Sequence, residues 1–365
     1  MHFSIQVLKN NFLLFLQPVF VQDANMLKAR TILIFFIFSI FENFPALAQD
    51  SPAFRLPADC NYGENCWVMN YVDMGPVADG KNTDPACGTR TYDGHKGTDI
   101  AIRSKAEMDK GVSVLAAEAG KVIRVRDGQP DRFPSEEELR EIKKDQKECG
   151  NAVLIDHGNA LQTLYCHLKE NSILVKANDE IKAGQKIGEI GLSGYTEFPH
   201  LHFGILWEGD VMDPFTGLSN TEKCGSVKQS LWKPSANISY RPVSLYAAGF
   251  QSEIPDLDKI DRGQQQPDSF KTTVPVLAFW TTFLGVREGD SIVMEVRGPD
   301  GKIFSRRTIK QPATRARQLY YTGRKLSQDV LKAGPYTGRS TLTRTMKDGE
   351  TKSWTIERRI HIQEE

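Results

Sequence analysis

The sequence has no surplus of charge of either sign, and it has few cysteines and histidines. Its 365 residues carry 46 Lys and Arg against 46 Asp and Glu. A dedicated nucleic-acid binder normally carries a basic surplus to neutralise phosphates, so nucleic acid is not an expected partner. Apolar residues make up 40% of the chain, which excludes disorder over most of its length. At roughly 100–200 residues per domain, the length predicts about two domains.

A long apolar run is also missing, and the one short run predicts an export signal. Residues 32–41 are apolar except for one serine, about half of the ~20 residues that a membrane span needs. A basic stretch at 28–30 precedes the run, and Ala-Leu-Ala at 46–48 follows it as a cleavage signal. We interpret residues 1–48 as a signal peptide with Met26 as the better start, and expect no stable membrane span after cleavage. An uncleaved anchor helix is the alternative.

All six cysteines lie behind this segment and before residue 225. An even count in an exported chain predicts a disulfide framework. Cys149 and Cys166 flank two β-prone runs that meet at a turn signal over residues 157–159, so a hairpin there favours a Cys149–Cys166 bridge. Three pairings stay open for the remaining cysteines, which are Cys60, Cys66, Cys87 and Cys224.

The chain divides into two zones of different composition. Residues 49–235 contain every cysteine and five of the seven histidines, in short β-prone runs separated by turn signals. A helical insertion interrupts them, since Ser135 and Glu138 have the spacing of a capping box. In the second zone, apolar and polar residues alternate in six short strand-like runs, which predicts a β-sandwich. The fold class expected is all-β: a mainly antiparallel domain with a short helical insertion, plus a C-terminal immunoglobulin-like β-sandwich.

Four of the scarce histidines fall into three local patterns. His95 and Asp99 are four residues apart, and His167 ends a β-prone run. His200 and His202 are two apart in a strand-like run, so their side chains point to the same face. A catalytic zinc site uses three imidazole or carboxylate ligands and one water, whose pKa falls to about 7. The combination therefore indicates a metal site, and a carboxylate without thiolate favours zinc over copper.

Three stretches of the sequence resemble the signature motifs of the lysostaphin-type, LytM-like zinc endopeptidases. They are GHKGTDIAI at 94–102, VLIDHGNALQTLYCHL at 153–168 and GLSGYTEFPHLHFGI at 191–205. Segment 175–191 resembles the family's hairpin between them, and the likeness covers roughly residues 88–216. The resemblance implies a β-rich fold of two-layer antiparallel sheets, the duplicated hybrid motif.

Carried over by position, the resemblance implies that His95, Asp99 and His202 bind one zinc ion per chain. It implies that His167 and His200 are the catalytic histidines. One of them acts as general base on the zinc-activated water, and the other helps to stabilise the tetrahedral intermediate. The sequence leaves open which does which.

Two positions bear on substrate contact and on activity. Thr196 stands where members often carry Ser or Thr before the His-x-His motif, a weak indication of substrate binding. Gly204 stands where members commonly carry Glu after His-Leu-His-Phe, so we expect a contact that supports the ligands to be missing there, and the effect on activity stays open.

The function implied by the resemblance is zinc-dependent hydrolysis of peptide cross-links in bacterial peptidoglycan, whose stem peptides are the substrate. The expected location is the periplasm of a Gram-negative bacterium, or outside the cell. One alternative is a catalytically weak or inactive peptidoglycan-binding regulator of cell-wall hydrolases, and another is a secreted protease of glycine-rich proteins. The bond cleaved and the oligomeric state stay open.

The predicted organisation has five parts. They are the signal peptide 1–48, a disulfide-linked N-terminal extension 49–87, a LytM-like peptidase domain 88–235, a linker 236–270 and a β-sandwich accessory domain 271–365. The resemblance raises the question whether residues 49–87 cover the zinc site, and the sequence leaves it open.

Overall fold

In this computed structural model the described residues are 53–75, 82–263, 267–326, 330–346 and 348–364. The predicted signal peptide and its start at Met26 lie outside them. Eighteen strands and three short α-helices occupy these ranges, so the mainly antiparallel β class predicted from the sequence is confirmed. Among the helices described, none combines the length and the apolar character needed to cross a bilayer.

Ten strands lie before residue 212. In chain order they are β1 (Cys66–Val68), β2 (Thr98–Ile102), β3 (Ser113–Leu115), β4 (Gly120–Arg126), β5 (Asn151–Asp156), β6 (Leu161–Leu168), β7 (Glu180–Ile181), β8 (Lys186–Glu189), β9 (His200–Trp207) and β10 (Asp210–Val211). Eight of these described strands form one sheet in the order β1-β2-β9-β6-β5-β4-β7, with β10 paired to β9, while β3 pairs with β8. Strand β9 is therefore an interior strand, between β2 and β6.

The alternation along β9 decides which of its side chains reach the core. Leu201, Phe203 and Ile205 are almost fully buried in the main hydrophobic cluster. Because successive strand residues point to opposite faces, His200 and His202 project from the other face of the same strand. A single strand thus fills the core with one set of residues and presents two imidazoles with the other.

The three helices are short and lie outside the main sheet: α1 (Lys105–Lys110), α2 (Glu136–Lys144) and α3 (Leu257–Arg262). Helix α2 is the insertion expected from the sequence, and its capping box is present. The Ser135 hydroxyl accepts from the Glu138 N–H at 3.3 Å, and the Glu138 carboxylate accepts from the Ser135 N–H at 2.8 Å. No residue of α2 is buried, so its charged side chains are solvated.

All six cysteines are paired in the described part of the chain. Cys149 bonds Cys166, the pair that the hairpin pattern favours. Two further bridges, which the sequence left open, are Cys60–Cys66 and Cys87–Cys224. Cys66 of the first bridge is the first residue of β1. The second bridge joins Cys87, in the loop between β1 and β2, to Cys224, which lies beyond β10. The segment between Cys66 and Cys87 is therefore covalently anchored at both ends.

Replacing Cys149 and Cys166 together with serine should lower the free energy of unfolding by about 3 kcal/mol, because the bridge closes a loop of 17 residues. The same change at Cys60 and Cys66, which are six residues apart, should cost less, about 2 kcal/mol. Urea unfolding followed by circular dichroism measures both. An equal or larger loss for the shorter loop would contradict this loop-length account.

Eight more strands follow residue 240. In chain order they are β11 (Ser244–Gln251), β12 (Ser269–Lys271), β13 (Val276–Val286), β14 (Ser291–Arg297), β15 (Ile303–Lys310), β16 (Arg315–Lys325), β17 (Gly334–Thr345) and β18 (Thr351–Gln363). Three of those described form the sheet β11-β13-β16, and five form the sheet β12-β18-β17-β14-β15. Both sheets contribute to one core, in which Phe279, Phe283, Ile292 and Leu342 are fully buried.

Strand β11 and helix α3 lie within residues 236–270, for which the sequence predicts a linker. Strand β11 pairs with β13 over most of its length, because its own run SLYAAGFQ is apolar enough to close the edge of that sheet. The polar residues after it begin α3, where Asp256 accepts a hydrogen bond from the Lys259 N–H at 3.1 Å. The domain boundaries themselves stay predictions.

A third buried cluster joins the two halves of the described chain. Trp67 and Ala101 of the first sheet pack with Tyr246, Trp280 and other residues of the second half. Phe198, in the loop before β9, packs against this cluster. Its ring also lies 4.5 Å from that of His200. The loop that leads into His200 therefore rests on a surface to which both halves contribute.

Candidate metal centre

The pairing of β2 with β9 brings the three predicted zinc ligands together. Asp99 lies directly opposite His202 in the antiparallel register, and His95 is in the turn that leads into β2. His95 Nε2 is 3.0 Å from Asp99 Oδ1 and 3.1 Å from His202 Nδ1. His202 Nδ1 is 2.9 Å from the same Asp99 oxygen. Three donor atoms, one from the turn before β2 and one each from β2 and β9, thus converge on one point.

Gly97 makes room for this convergence. A Cβ at this position would lie 2.6 Å from His202 Nε2 and 2.8 Å from the Phe203 carbonyl oxygen. Real Cβ atoms essentially never approach other atoms so closely, and the backbone on one side cannot move away. Only glycine lets the turn after His95 pass so close to the β9 histidine.

Backbone hydrogen bonds fix which nitrogen of each buried imidazole faces the site. His95 Nδ1 donates to the Tyr71 carbonyl oxygen at 2.7 Å. A carbonyl oxygen can only accept, so Nδ1 carries the proton and Nε2 keeps its lone pair for a metal. His167 and His200 follow the same rule, since their Nδ1 atoms each donate to a carbonyl oxygen at 2.8 Å.

The charges in the cluster favour a cation at the point of convergence. Burial raises the pKa of Asp99, but His95, His200 and His202 outweigh this and hold it well below its usual range. Burial lowers the pKa of His95, but the Asp99 carboxylate outweighs this and raises it. An ionised carboxylate and two imidazole nitrogens are a donor set that zinc prefers. The residues present therefore fit a zinc ion.

His167 and His200 stand next to the three donor atoms. The centroids of their rings are 4.5 Å apart, and His200 Nε2 lies 3.6 Å from Asp99 Oδ1. Burial lowers the pKa of both histidines, and for His167 the neighbouring His200 and His202 lower it further. Both are thus neutral near pH 7, with an Nε2 lone pair that can accept a proton.

His167 reaches this position through an irregularity in β6. Asn151 pairs with Leu168 and Val153 with Tyr165, so β6 has one residue more than β5 between these pairs. His167 has φ +60°, a conformation that a non-glycine residue rarely adopts. Bulges of this kind redirect a side chain beside a site. The extra residue turns the His167 ring toward the β9 histidines.

Thr196 and Gly204, the two other positions noted in the sequence, lie near the cluster. Thr196 is buried, and its hydroxyl donates to the Phe198 carbonyl oxygen at 2.8 Å and lies 3.2 Å from His200 Nδ1. Its hydroxyl thus contacts the loop that orients His200. A Cβ at Gly204 would lie 3.4 Å from the Lys96 carbonyl oxygen, which is ordinary packing distance, so this position has room for a small side chain.

Sequence reasoning missed Asn70, which donates from Nδ2 to Asp99 Oδ2 at 2.8 Å. It lies in the predicted N-terminal extension, 29 residues before Asp99. Its only signal in the sequence is that it interrupts the apolar run WVMNYV at 67–72. A polar residue inside such a run needs a buried partner, but the run does not reveal which.

Comparison with known proteins gives a family match over the segment that contains the cluster. Residues 93–214 match the model of Peptidase family M23. Among solved structures, a zinc-containing peptidase from Vibrio cholerae is 29% identical, covering 41% of this chain and 39% of that chain at a TM-score of 0.26.

Two curated relatives match a similar length of the chain. Peptidoglycan DD-endopeptidase ShyB of Vibrio cholerae is 34% identical over 119 residues, which is 33% of this chain and 22% of the relative. Outer membrane antigenic lipoprotein B of Histophilus somni is 35% identical over 120 residues, which is 33% of this chain and 28% of the relative. The chain thus spans less than a third of the length of these relatives.

Proposed function

We propose, from the premise that residues 93–214 are a peptidase family M23 domain, that this protein is a zinc-dependent endopeptidase that cleaves peptide cross-links of bacterial peptidoglycan. One observation carries the proposal. Two imidazole nitrogens and a carboxylate oxygen converge within 3.1 Å of one another, and two further imidazoles lie beside them. This is the composition of a catalytic zinc site, not of a closed structural site, which would have four protein ligands.

His95, Asp99 and His202 would hold the zinc ion, one ion per chain. Bound there, zinc supplies a Lewis acid that polarises a peptide carbonyl and lowers the pKa of water. The protein's own contribution is orientation. Each ligand atom is already aimed at the same point, and the Tyr71 carbonyl oxygen keeps the His95 ring in the required tautomer.

His167 and His200 would move the protons. Each has its Nδ1–H engaged by a carbonyl oxygen, so only Nε2 is available to accept a proton from water or to donate one once protonated. One of the two removes the proton from the attacking water and delivers it to the leaving amine. The other would stabilise the oxyanion of the tetrahedral intermediate in its doubly protonated form, because only then does its Nε2 carry a hydrogen to donate. Their rings are close enough for both to reach one scissile bond.

Peptidoglycan is the substrate class that the relatives support. ShyA and ShyB of Vibrio cholerae are both named peptidoglycan DD-endopeptidases. Location outside the cytoplasm is supported by the predicted signal peptide and by the disulfide framework, which persists in oxidising compartments. The periplasm of a Gram-negative bacterium fits these features best, and secretion into the medium is the other destination.

Digestion of purified sacculi tests the proposal. The wild-type protein should convert cross-linked muropeptides to uncrosslinked ones, which chromatography and mass spectrometry resolve. Chelation should stop the release, and added zinc, but not magnesium, should restore it because Mg²⁺ prefers oxygen ligands. Release that continues in the chelated protein would overturn the zinc mechanism. Binding to sacculi without zinc uptake or cleavage would instead favour a wall-binding regulator.

A further inference from the structure

The segment after Cys66 runs alongside the candidate zinc ligands. Strand β1 pairs antiparallel with β2, and the chain continues this pairing beyond the end of β1. The Met69 N–H donates to the Asp99 carbonyl oxygen at 2.8 Å, and the Asp99 N–H donates to the Asn70 carbonyl oxygen at 2.9 Å. The backbone of Asn70 is therefore fixed next to Asp99 before any side chain is considered.

The two carboxylate oxygens of Asp99 have different partners, and the side chain of Asn70 binds only one of them. Its Nδ2 donates to Oδ2 at 2.8 Å, while Oδ1 faces His95 Nε2 and His202 Nδ1. An amide nitrogen can only donate, so this contact leaves Oδ1 as the oxygen turned toward the two imidazoles. Asn70 is only 8% exposed, so water does not readily replace it.

The next residues of the same segment act on His95. The Tyr71 carbonyl oxygen accepts from His95 Nδ1 at 2.7 Å, and the Asp73 N–H donates to the His95 carbonyl oxygen at 2.9 Å. The Asp73 carboxylate accepts from the Gly94 N–H at 2.9 Å. Residues 70–73 thus contact one ligand through a side chain and another through backbone atoms.

We propose that Asn70 is a positioning residue of the metal centre, which turns a single oxygen of Asp99 toward the metal and belongs to a strap, residues 69–73, that supports the ligands. The inference rests on the proposed zinc site. Groups that hydrogen-bond metal ligands orient them, and their loss typically weakens metal affinity 10–100-fold. The disulfides at Cys66 and Cys87 hold the ends of the segment that contains the strap. The N-terminal segment is therefore part of the metal centre.

Zinc affinity of the Asn70→Leu variant tests this proposal, because leucine keeps much of the volume and removes the donor. Competition with a chelator should give a zinc dissociation constant about 10–100-fold above that of the full wild-type chain. Loading with cobalt(II) should also change the visible absorption spectrum, since Asp99 can rotate once Oδ2 is released. If this variant fails to fold, as far-UV circular dichroism would show, Asn70→Ala takes its place.

Asn82→Leu is the matched control. Asn82 also donates from Nδ2, at 3.0 Å, but to the Thr91 carbonyl oxygen and not to a proposed zinc ligand. The zinc affinity and the cobalt spectrum of the Asn82→Leu variant should therefore match those of the wild type. Equal zinc affinity and an unchanged cobalt spectrum in the Asn70 variants would overturn the positioning role alone. Failure of the wild-type chain to bind zinc would instead overturn the proposed function, so the two failures are distinguishable.

Discussion

Replacing His202 with alanine should abolish zinc uptake and lower kcat/KM on cross-linked muropeptides by at least about 10³-fold. His202 Nδ1 is one of only three donor atoms at the point of convergence in the described residues, and the remaining two cannot hold the ion against water. A metal contributes several kcal/mol to transition-state stabilisation, and each 1.4 kcal/mol is about tenfold in rate. Metal analysis and the sacculus assay together measure the effect.

Loss of zinc should also appear in the thermal stability. A ligand that binds only the folded state adds RT ln(1 + [L]/Kd) to the free energy of unfolding, about 4 kcal/mol at a thousandfold excess over Kd. Zinc should therefore raise the Tm of the wild type but not that of His202→Ala. His157→Ala is the matched control, since the His157 imidazole bonds the Ala119 carbonyl oxygen and the Thr163 hydroxyl and none of the proposed zinc ligands. If the His202 variant bound no zinc but kept its activity, the proposal that His202 holds a catalytic zinc ion would be wrong.

Replacing His167 or His200 with alanine should lower kcat by about 10²–10⁴-fold, the usual effect of removing a general acid or base. Zinc should remain bound, because neither residue is among the three donors that converge. KM should change little, since the histidines act on protons and not on the body of the substrate. Metal content and steady-state kinetics on a soluble cross-linked peptide separate this outcome from that of His202→Ala.

The pH profile separates the base from the oxyanion donor. Activity should fall as the pH decreases through the pKa of the base, because protonation blocks the Nε2 lone pair. Burial lowers the pKa of both histidines, so the fall should lie on the acid side of the ordinary histidine range. The variant that lacks the base should lose this dependence, whereas the other should keep it at a lower rate. Full activity in both variants would exclude proton transfer by this pair.

Some features of the site could be predicted from the sequence and others could not. The spacing of His200 and His202 on a strand predicts two imidazoles on one face, because strand periodicity is local. The hairpin between Cys149 and Cys166 is likewise a local pattern, and the structure has that bridge. The bulge at His167 depends instead on how β6 meets β5, and no run of residues encodes the extra residue in that register.

The C-terminal half shows the same distinction. Alternating runs and turn signals predict its strands, but the sequence assigned residues 236–270 to a linker. In the structure β11 closes one sheet there by pairing with β13, a strand that begins 25 residues after β11 ends. An edge strand is defined by its partner, and propensity over eight residues does not identify that partner.

By itself the sequence determined the chemistry that this protein can carry. It has scarce histidines in three patterns, one carboxylate four residues from the first of them, and cysteines behind a predicted export signal. The tertiary structure alone decided how those groups are held: Asp99 opposite His202, His167 turned inward by a bulge, and Asn70 and Tyr71 beside Asp99 and His95. The reason is physical. Residue type and local periodicity are properties of neighbouring positions, whereas hydrogen bonds between residues far apart in sequence form only when the sheet assembles and excludes water.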